Sequence, residues 1–211
     1  MFEIASMSFA TFFATIGPLD AAAVFAALTA TATPSHRRTM AIRGTAVAAV
    51  ILLIFALFGQ FLLTRFGISL AALRAAGGIL LLLIAIDMVF ARSSGGTTAT
   101  PEETQEAVRK QDISVFPLAT PLIAGPGAMG AAIIWMANAK GELALQGMVI
   151  LSLLGVLVIT FLAMMGATKI HKVLGVTGMH VVSRVFGVLL AALAVQFIFD
   201  GVREGLMSAD F

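Results

Sequence analysis

The sequence contains no cysteine, which removes disulfide frameworks, thiol catalysis and cysteine metal sites. Charge is scarce as well. Only 11% of the 211 residues are Asp, Glu, Lys or Arg, against 60% hydrophobic, whereas a soluble domain is roughly a quarter charged. No Walker motif, GxGxxG element or nucleophile–base pair occurs, so the expectation is a protein that is not an enzyme and needs no cofactor. His171 and His180 have no acidic or thiol partner at ligand spacing, and no metal site is expected. No Lys or Arg precedes the first apolar run and Glu3 is acidic, so the N-terminus reads as a retained spanning helix, not a cleavable signal. The net charge of +2 and the pI near 9.5 do not point to nucleic acid, because the basic residues stand at helix ends. A ring of charges or a continuous polar helix face is missing too, which argues against an ion channel.

What remains is a series of apolar runs, each near the roughly 20 residues that cross a bilayer as helix. Six spans are read, at about 2–31, 40–63, 69–91, 115–137, 143–168 and 179–202. They form one all-α, polytopic domain over 1–211 that sits in a lipid bilayer. A polar loop at 92–114 divides it, with a short helix expected near Thr100-Pro101. With the N-terminus outside, the inner connections hold Arg37, Arg38, Arg43, Arg92, Arg109, Lys110, Lys169 and Lys172. The outer ones hold Arg65, Lys140 and Arg203. The bias predicts that both termini are extracytoplasmic.

Two spans are interrupted. The fourth carries FPLATPLIAGPGAMG at 116–130, and the first carries Gly17-Pro18. Proline lacks the N–H a helix needs, so both should break or kink. In hydrocarbon such a break is tolerated only where protein or a cavity surrounds it. The two Gly-Pro pairs are 108 residues apart, and Arg-x-x-Gly at Arg74/Gly77 and Arg184/Gly187 repeats at 110. Three spans per copy force the second copy to insert upside down. The expectation is therefore two inverted three-helix repeats, 1–91 and 115–211, with helices one and four broken, a plan recurrent among transporters.

A half-helix N-terminus offers N–H groups and a positive dipole end to a carboxylate, and the opposing end offers carbonyls to an ammonium group or a cation. The candidate substrate-binding residues are Thr15, Gly17, Pro18, Asp20, Thr120, Gly125, Pro126 and Gly127. Asp20 at mid-membrane is either an ion-coupling group or a cap of the half-helix that restarts after Pro18. Asp87 is a second coupling candidate, or reaches the interface. Arg74 and Arg184 are either snorkelling anchors or structural, gating ties from helices three and six to the carbonyls freed in helices one and four. Gln60 and Gln196 read as helix–helix hydrogen-bonding groups, and Gly77, Gly78 and Gly187 as close-packing positions.

Three stretches, RFGISLAALRAAGGILLLLIAIDMVF at 65–90, FPLATPLIAGPGAMG at 116–130 and VVSRVFGVLLAALAVQFIFDGVRE at 181–204, resemble the MarC family of bacterial and archaeal inner-membrane proteins. The resemblance covers nearly the whole chain and implies six spans in a bacterial inner (cytoplasmic) membrane. Some members, called SnatA, look like carriers of small neutral amino acids, and the family is grouped with LysE-type exporters. Its first-helix motif resembles Asp-Pro-x-Gly-Asn-x-Pro. The matching stretch here, Gly17-Pro18-Leu19-Asp20-Ala21-Ala22-Ala23, keeps Pro18 and loses the polar residues around it. The fourth-helix motif carries over at Pro117, Pro121, Gly125, Pro126 and Gly127.

The expected function is secondary transport of a small neutral amino acid or similar zwitterion, coupled to protons or sodium ions. The alternatives are an exporter of another small solute and a non-transporting membrane scaffold or stress protein.

Overall fold

A computed structural model describes residues 2–29, 32–90, 112–139 and 141–208. Residues 92–111 of the loop expected at 92–114, with its short helix near Thr100-Pro101, lie outside the described residues, as do the side chains of His171 and His180, and Ser114 already begins a helical element. The described residues are helical, in seven elements: α1 (Phe2–Ile16), α2 (Pro18–Leu28), α3 (Pro34–Arg65), α4 (Leu70–Phe90), α5 (Ser114–Ile123), α6 (Pro126–Asn138) and α7 (Leu143–Ser208). Five segments are long and apolar enough to cross a membrane, and the bent pair α5–α6 makes a sixth when taken as one span.

The first interruption falls where proline predicts it. Gly17 adopts a left-handed conformation (φ 59°, ψ 66°) and Pro18 is the first residue of α2. The ladder is stepped around the break: Gly17 N–H donates to the Phe13 carbonyl (3.0 Å) and Ala21 N–H to the Gly17 carbonyl (2.9 Å). Pro18 has no N–H for the carbonyl of Ala14, four residues back. Along α1 the hydroxyls of Thr11 and Thr15 donate to carbonyls of their own helix, at 2.8 Å each, so these polar side chains are satisfied in an apolar setting.

The second helix begins earlier than its basic cluster suggests, at Pro34 instead of near Met40. Thr33 caps it by accepting from His36 N–H (3.3 Å), and proline at the first position suits a helix start. His36, Arg37, Arg38 and Arg43 therefore sit on helix, not in a loop.

The fourth span departs most from a simple kink. α5 is not a regular coil: it makes wide turns closed by hydrogen bonds from five residues on, kinked where Phe116 and Thr120 are extended, with cis bonds preceding Pro117 and Pro121. Pro117 cannot donate to the Ile113 carbonyl, and the next residue, Leu118, does so instead (3.2 Å). A bond from five residues on is what widens the coil. Gly125 then extends (φ −82°, ψ 169°) and α6 restarts at Pro126, bent 57° from α5.

Glycines set the packing. A Cβ on Gly44 would meet Leu118 and the Ser114 carbonyl, and one on Gly59 would meet Ile133, so α5 and α6 follow α3 in one direction. Gly77 faces Ile134 and Gly127 faces Ile84, which runs α4 opposite to α6. Every residue from Ala131 to Ala137 is buried, making α6 the central helix, while α3, α4 and α7 turn Phe58, Leu83, Val158 and Phe199 outward. So much exposed apolar surface suits lipid and not water.

The two spans expected at 143–168 and 179–202 are found as Leu143–Ala167 and Arg184–Met207. Helical turns continue through the stretch that joins them, so that α7 extends from Leu143 to Ser208, with no proline after Pro126. A straight helix of that length would span about 100 Å, against roughly 30 Å of hydrocarbon. Packing shows two limbs. Ser152 donates to the Ala5 carbonyl (3.1 Å) and Gly155 lies beside Phe9, so the first limb runs parallel to α1. Phe186 packs on Phe13 at 4.8 Å between ring centroids, and Met7 shares a crevice with Leu193, so the second limb runs antiparallel. The chain reverses between Ala167 and Arg184. The second limb also lies antiparallel to α4 through Gly78, Gly187 and Gly201, the close approach small residues permit.

Candidate functional site

The two helix breaks meet. Thr15, two residues before Gly17, has its methyl 3.9 Å from the place a Cβ on Gly127 would take, and Gly127 is two residues past Gly125. α4 closes the third side, with Ile84 and Leu81 against the same glycine. The absence of a side chain at Gly127 is what lets the start of α6 approach α1 and α4 together. The Thr15 hydroxyl is occupied within α1, so it reaches the breaks as a methyl group and a hydroxyl acceptor.

Both half-helices that restart at these breaks lack a side-chain cap at Gly17 and Gly125 and carry proline at their first positions. At α6 the N–H groups of Gly127 and Ala128, in the first turn, have no acceptor within the helix by position. Gly125 and Gly127 are buried, yet Pro126 is exposed and Thr120 and Pro121 are half-buried, so the second break keeps accessible surface inside an otherwise filled core. Thr120 is placed on α5 by its extended backbone (φ −135°, ψ 125°).

Asp20 is the third residue of α2. Its carboxylate folds back over the break: Oδ2 lies 3.2 Å from the place a Cβ on Gly17 would occupy. That is the positive end of α2, where a negative charge is favoured. Gly17, Pro18, Leu19 and Asp20 form one wall of a cleft whose other wall is Phe13, Met88 and Phe186. The cleft has about 10 Å³ of free space, close to what one water requires. Asp87 neighbours Met88 and is half-buried on α4. Arg184 is exposed on the second limb of α7, two residues before Phe186.

Arg74 lies away from these breaks. Its guanidinium bonds the Glu204 carboxylate on α7 and the Asn138 side-chain oxygen at the end of α6. It ties helices together through side chains, not through the carbonyls freed at the breaks, and Arg184 does not mirror it. Residue order offers no hint of these partners, which lie 130 and 64 positions away. At the other end of the bundle, Arg43 pairs with Asp112 (3.3 Å). Hydrogen bonds from the Ser114 hydroxyl and N–H, with Arg43 adding to them, hold the Asp112 carboxyl below the usual carboxylate range against a small opposing effect of burial. This contact joins the start of α3 to the start of α5. Among the described residues no group of His, Asp and Glu side chains is arranged to hold a metal ion.

Comparison with known proteins matches residues 2–206 to the model of the MarC family integral membrane proteins. A UPF0056 membrane protein of Methanocaldococcus jannaschii is 39% identical over 201 residues, covering 95% of this chain and 97% of that one. The UPF0056 membrane protein YvbG of Bacillus subtilis is 32% identical over 203 residues, covering 96% of each chain. YhcE of Escherichia coli, also a UPF0056 membrane protein, is 35% identical over 191 residues, covering 90% of this chain and 88% of that one. No solved structure matches the chain.

Proposed function

The chain belongs to the MarC family of integral membrane proteins, and from that premise we propose that it is a secondary transporter of a small neutral amino acid or similar small zwitterion, coupled to a proton or a sodium ion. The observation that carries this reading is the meeting of two helix breaks, with Thr15 at one against Gly127 at the other. Broken spanning helices facing each other at a repeat interface supply N–H groups to a carboxylate and carbonyls to a cation. Such a site performs no bond-making step. The solute's carboxylate takes the α6 N-terminus at Gly127 and Ala128, and its ammonium group takes carbonyls such as that of Ala14. Asp20, with Asp87 one turn of α4 beyond Ile84, carries the coupling ion.

The same reading takes α1–α4 and α5–α7 as inverted repeats, so that α1–α2 and α5–α6 are equivalent broken spans and six crossings result. Both termini then face outward from the cytoplasmic membrane, with Arg43 and Asp112 inside. The room beside Asp20 suits a water or an ion and excludes an amino acid, as one closed state of an alternating-access cycle requires. Uptake of labelled glycine or alanine into proteoliposomes, with and without pH and sodium gradients, tests the proposal. Gradient-dependent accumulation is the expected result; movement of no member of a panel of small amino acids in either direction sinks it.

A further inference from the structure

A polar cluster that the breaks do not use lies at the far end of α4. Arg74, Asp200, Arg203, Glu204 and Met207 line a cavity of about 400 Å³, within the roughly 300–1,000 Å³ of small-molecule sites. It is separate from the breaks. α6 alone places about 17 Å between Gly127 and Asn138 at its end, and Asn138 is the residue Arg74 bonds. The Lys and Arg distribution sets this end on the extracytoplasmic side.

Its charge is balanced, with two guanidinium groups facing two carboxylates. Arg74, with its side chain only 19% exposed, is held by Glu204. Gln196 donates to Oδ1 of Asp200 (3.0 Å), and among the described residues no ion pair engages Arg203. A simple anion would be drawn by the arginines and opposed by the carboxylates, and a simple cation the reverse. A molecule with both charges a few ångströms apart satisfies both.

We propose that this cavity is an outer docking site for a small zwitterion, with Arg203 receiving its carboxylate in the forked geometry of guanidinium and Asp200 receiving its ammonium group. The inference rests on the transport reading only for the class of solute. It adds a second, peripheral station ahead of the breaks.

The absence of cysteine permits a test specific to this cavity. In the Met207→Cys variant the only thiol lies on the cavity wall, at a position 72% exposed, and its labelling by a membrane-impermeant maleimide can be timed. Glycine at twice its dissociation constant is expected to slow labelling about threefold, as the free fraction falls by 1 + [L]/Kd. Acetate and methylammonium at the same concentration are expected to leave the rate unchanged. Adding Asp200→Asn or Arg203→Gln to this variant should abolish the protection, read for each variant as the ratio of its rates with and without glycine, since a charge change near the thiol alters its own reactivity. Failure of glycine, alanine and serine to protect overturns the proposal, as does equal protection by acetate or methylammonium. If a double variant does not fold, the comparison of ligands on Met207→Cys still decides. Protection without transport in vesicles removes the transport reading and keeps the docking site; transport of glycine without protection does the reverse.

Discussion

At the scale of single residues, Gly17 and Asp20 act as one unit. Gly17 has φ +59°, a conformation that costs an L-residue about 1–2 kcal/mol, and a methyl group there would press on the Asp20 carboxylate at 3.2 Å. Gly17→Ala should therefore lower the thermal stability of the detergent-solubilised protein by about that cost and move the carboxylate from the break. Asp20→Asn keeps the shape of the side chain and removes its charge, so uptake driven by a gradient should be lost while exchange of solute persists. Gradient-driven accumulation equal to that of the parent protein would make Asp20 a cap and nothing more. Asp112 makes a separate prediction. Its folded pKa is depressed, so its contribution is present above the unfolded pKa of about 3.9 and is lost as pH falls through the folded value. Being partly exposed and paired with an exposed arginine, it is worth no more than about 1 kcal/mol. Melting profiles at neutral pH and below pH 4 should show Asp112→Asn slightly less stable at neutral pH and indistinguishable from the parent once both are fully acidified. An Asp112→Asn deficit that persists in acid contradicts this assignment.

At the scale of elements, glycines that touch backbone, as on the α4–α7 seam, differ from glycines that touch nothing. A methyl on Gly78 would come within 2.7 Å of the Ala194 carbonyl and 2.9 Å of the Ile198 nitrogen, atoms that shift only if the whole limb moves. Gly78→Ala should cost about 1–3 kcal/mol, the range for overpacking. Gly147 meets nothing within 4 Å, so Gly147→Ala should be neutral or stabilise by about 0.5–1 kcal/mol through helix propensity. Thermal unfolding of the two variants side by side checks the contrast. The sequence showed where elements break, because a missing N–H is a property of proline itself. It misled at Met40, where charge suggested a loop although Thr33-Pro34 already carried the capping signal. It could not show the wide, kinked turns of α5. That winding depends on Leu118 N–H taking over the Ile113 carbonyl, a choice made only once the chain is folded. The shared Gly-Pro motif points to the two breaks belonging together, but which atoms touch, the Thr15 methyl against Gly127, follows only from the packing around them.

At the scale of the whole molecule, the arrangement depends on α7 doubling back across α1. Gly155 lies beside Phe9 and Phe186 packs on Phe13. Phe9 and Phe13 are one turn apart, about 6 Å along α1, whereas positions 155 and 186 on a straight helix would be separated by about 46 Å. Only a reversal between the limbs allows both contacts, and only the reversal gives α1 one parallel and one antiparallel neighbour. That in turn places Phe186 opposite Pro18 and Asp20 in the cleft, so the geometry of the first break depends on the second limb. Because the chain has no thiol of its own, two cysteine pairs can decide the matter without background: Phe9→Cys with Gly155→Cys, and Phe13→Cys with Phe186→Cys. A short bifunctional maleimide applied to membranes should cross-link each pair within single chains, detected as two fragments that stay joined after cleavage at a protease site inserted between positions 92 and 111, which separates the members of both pairs. Cross-linking of the first pair alone would place the second limb away from α1, and the cleft beside Asp20 would lose its far wall.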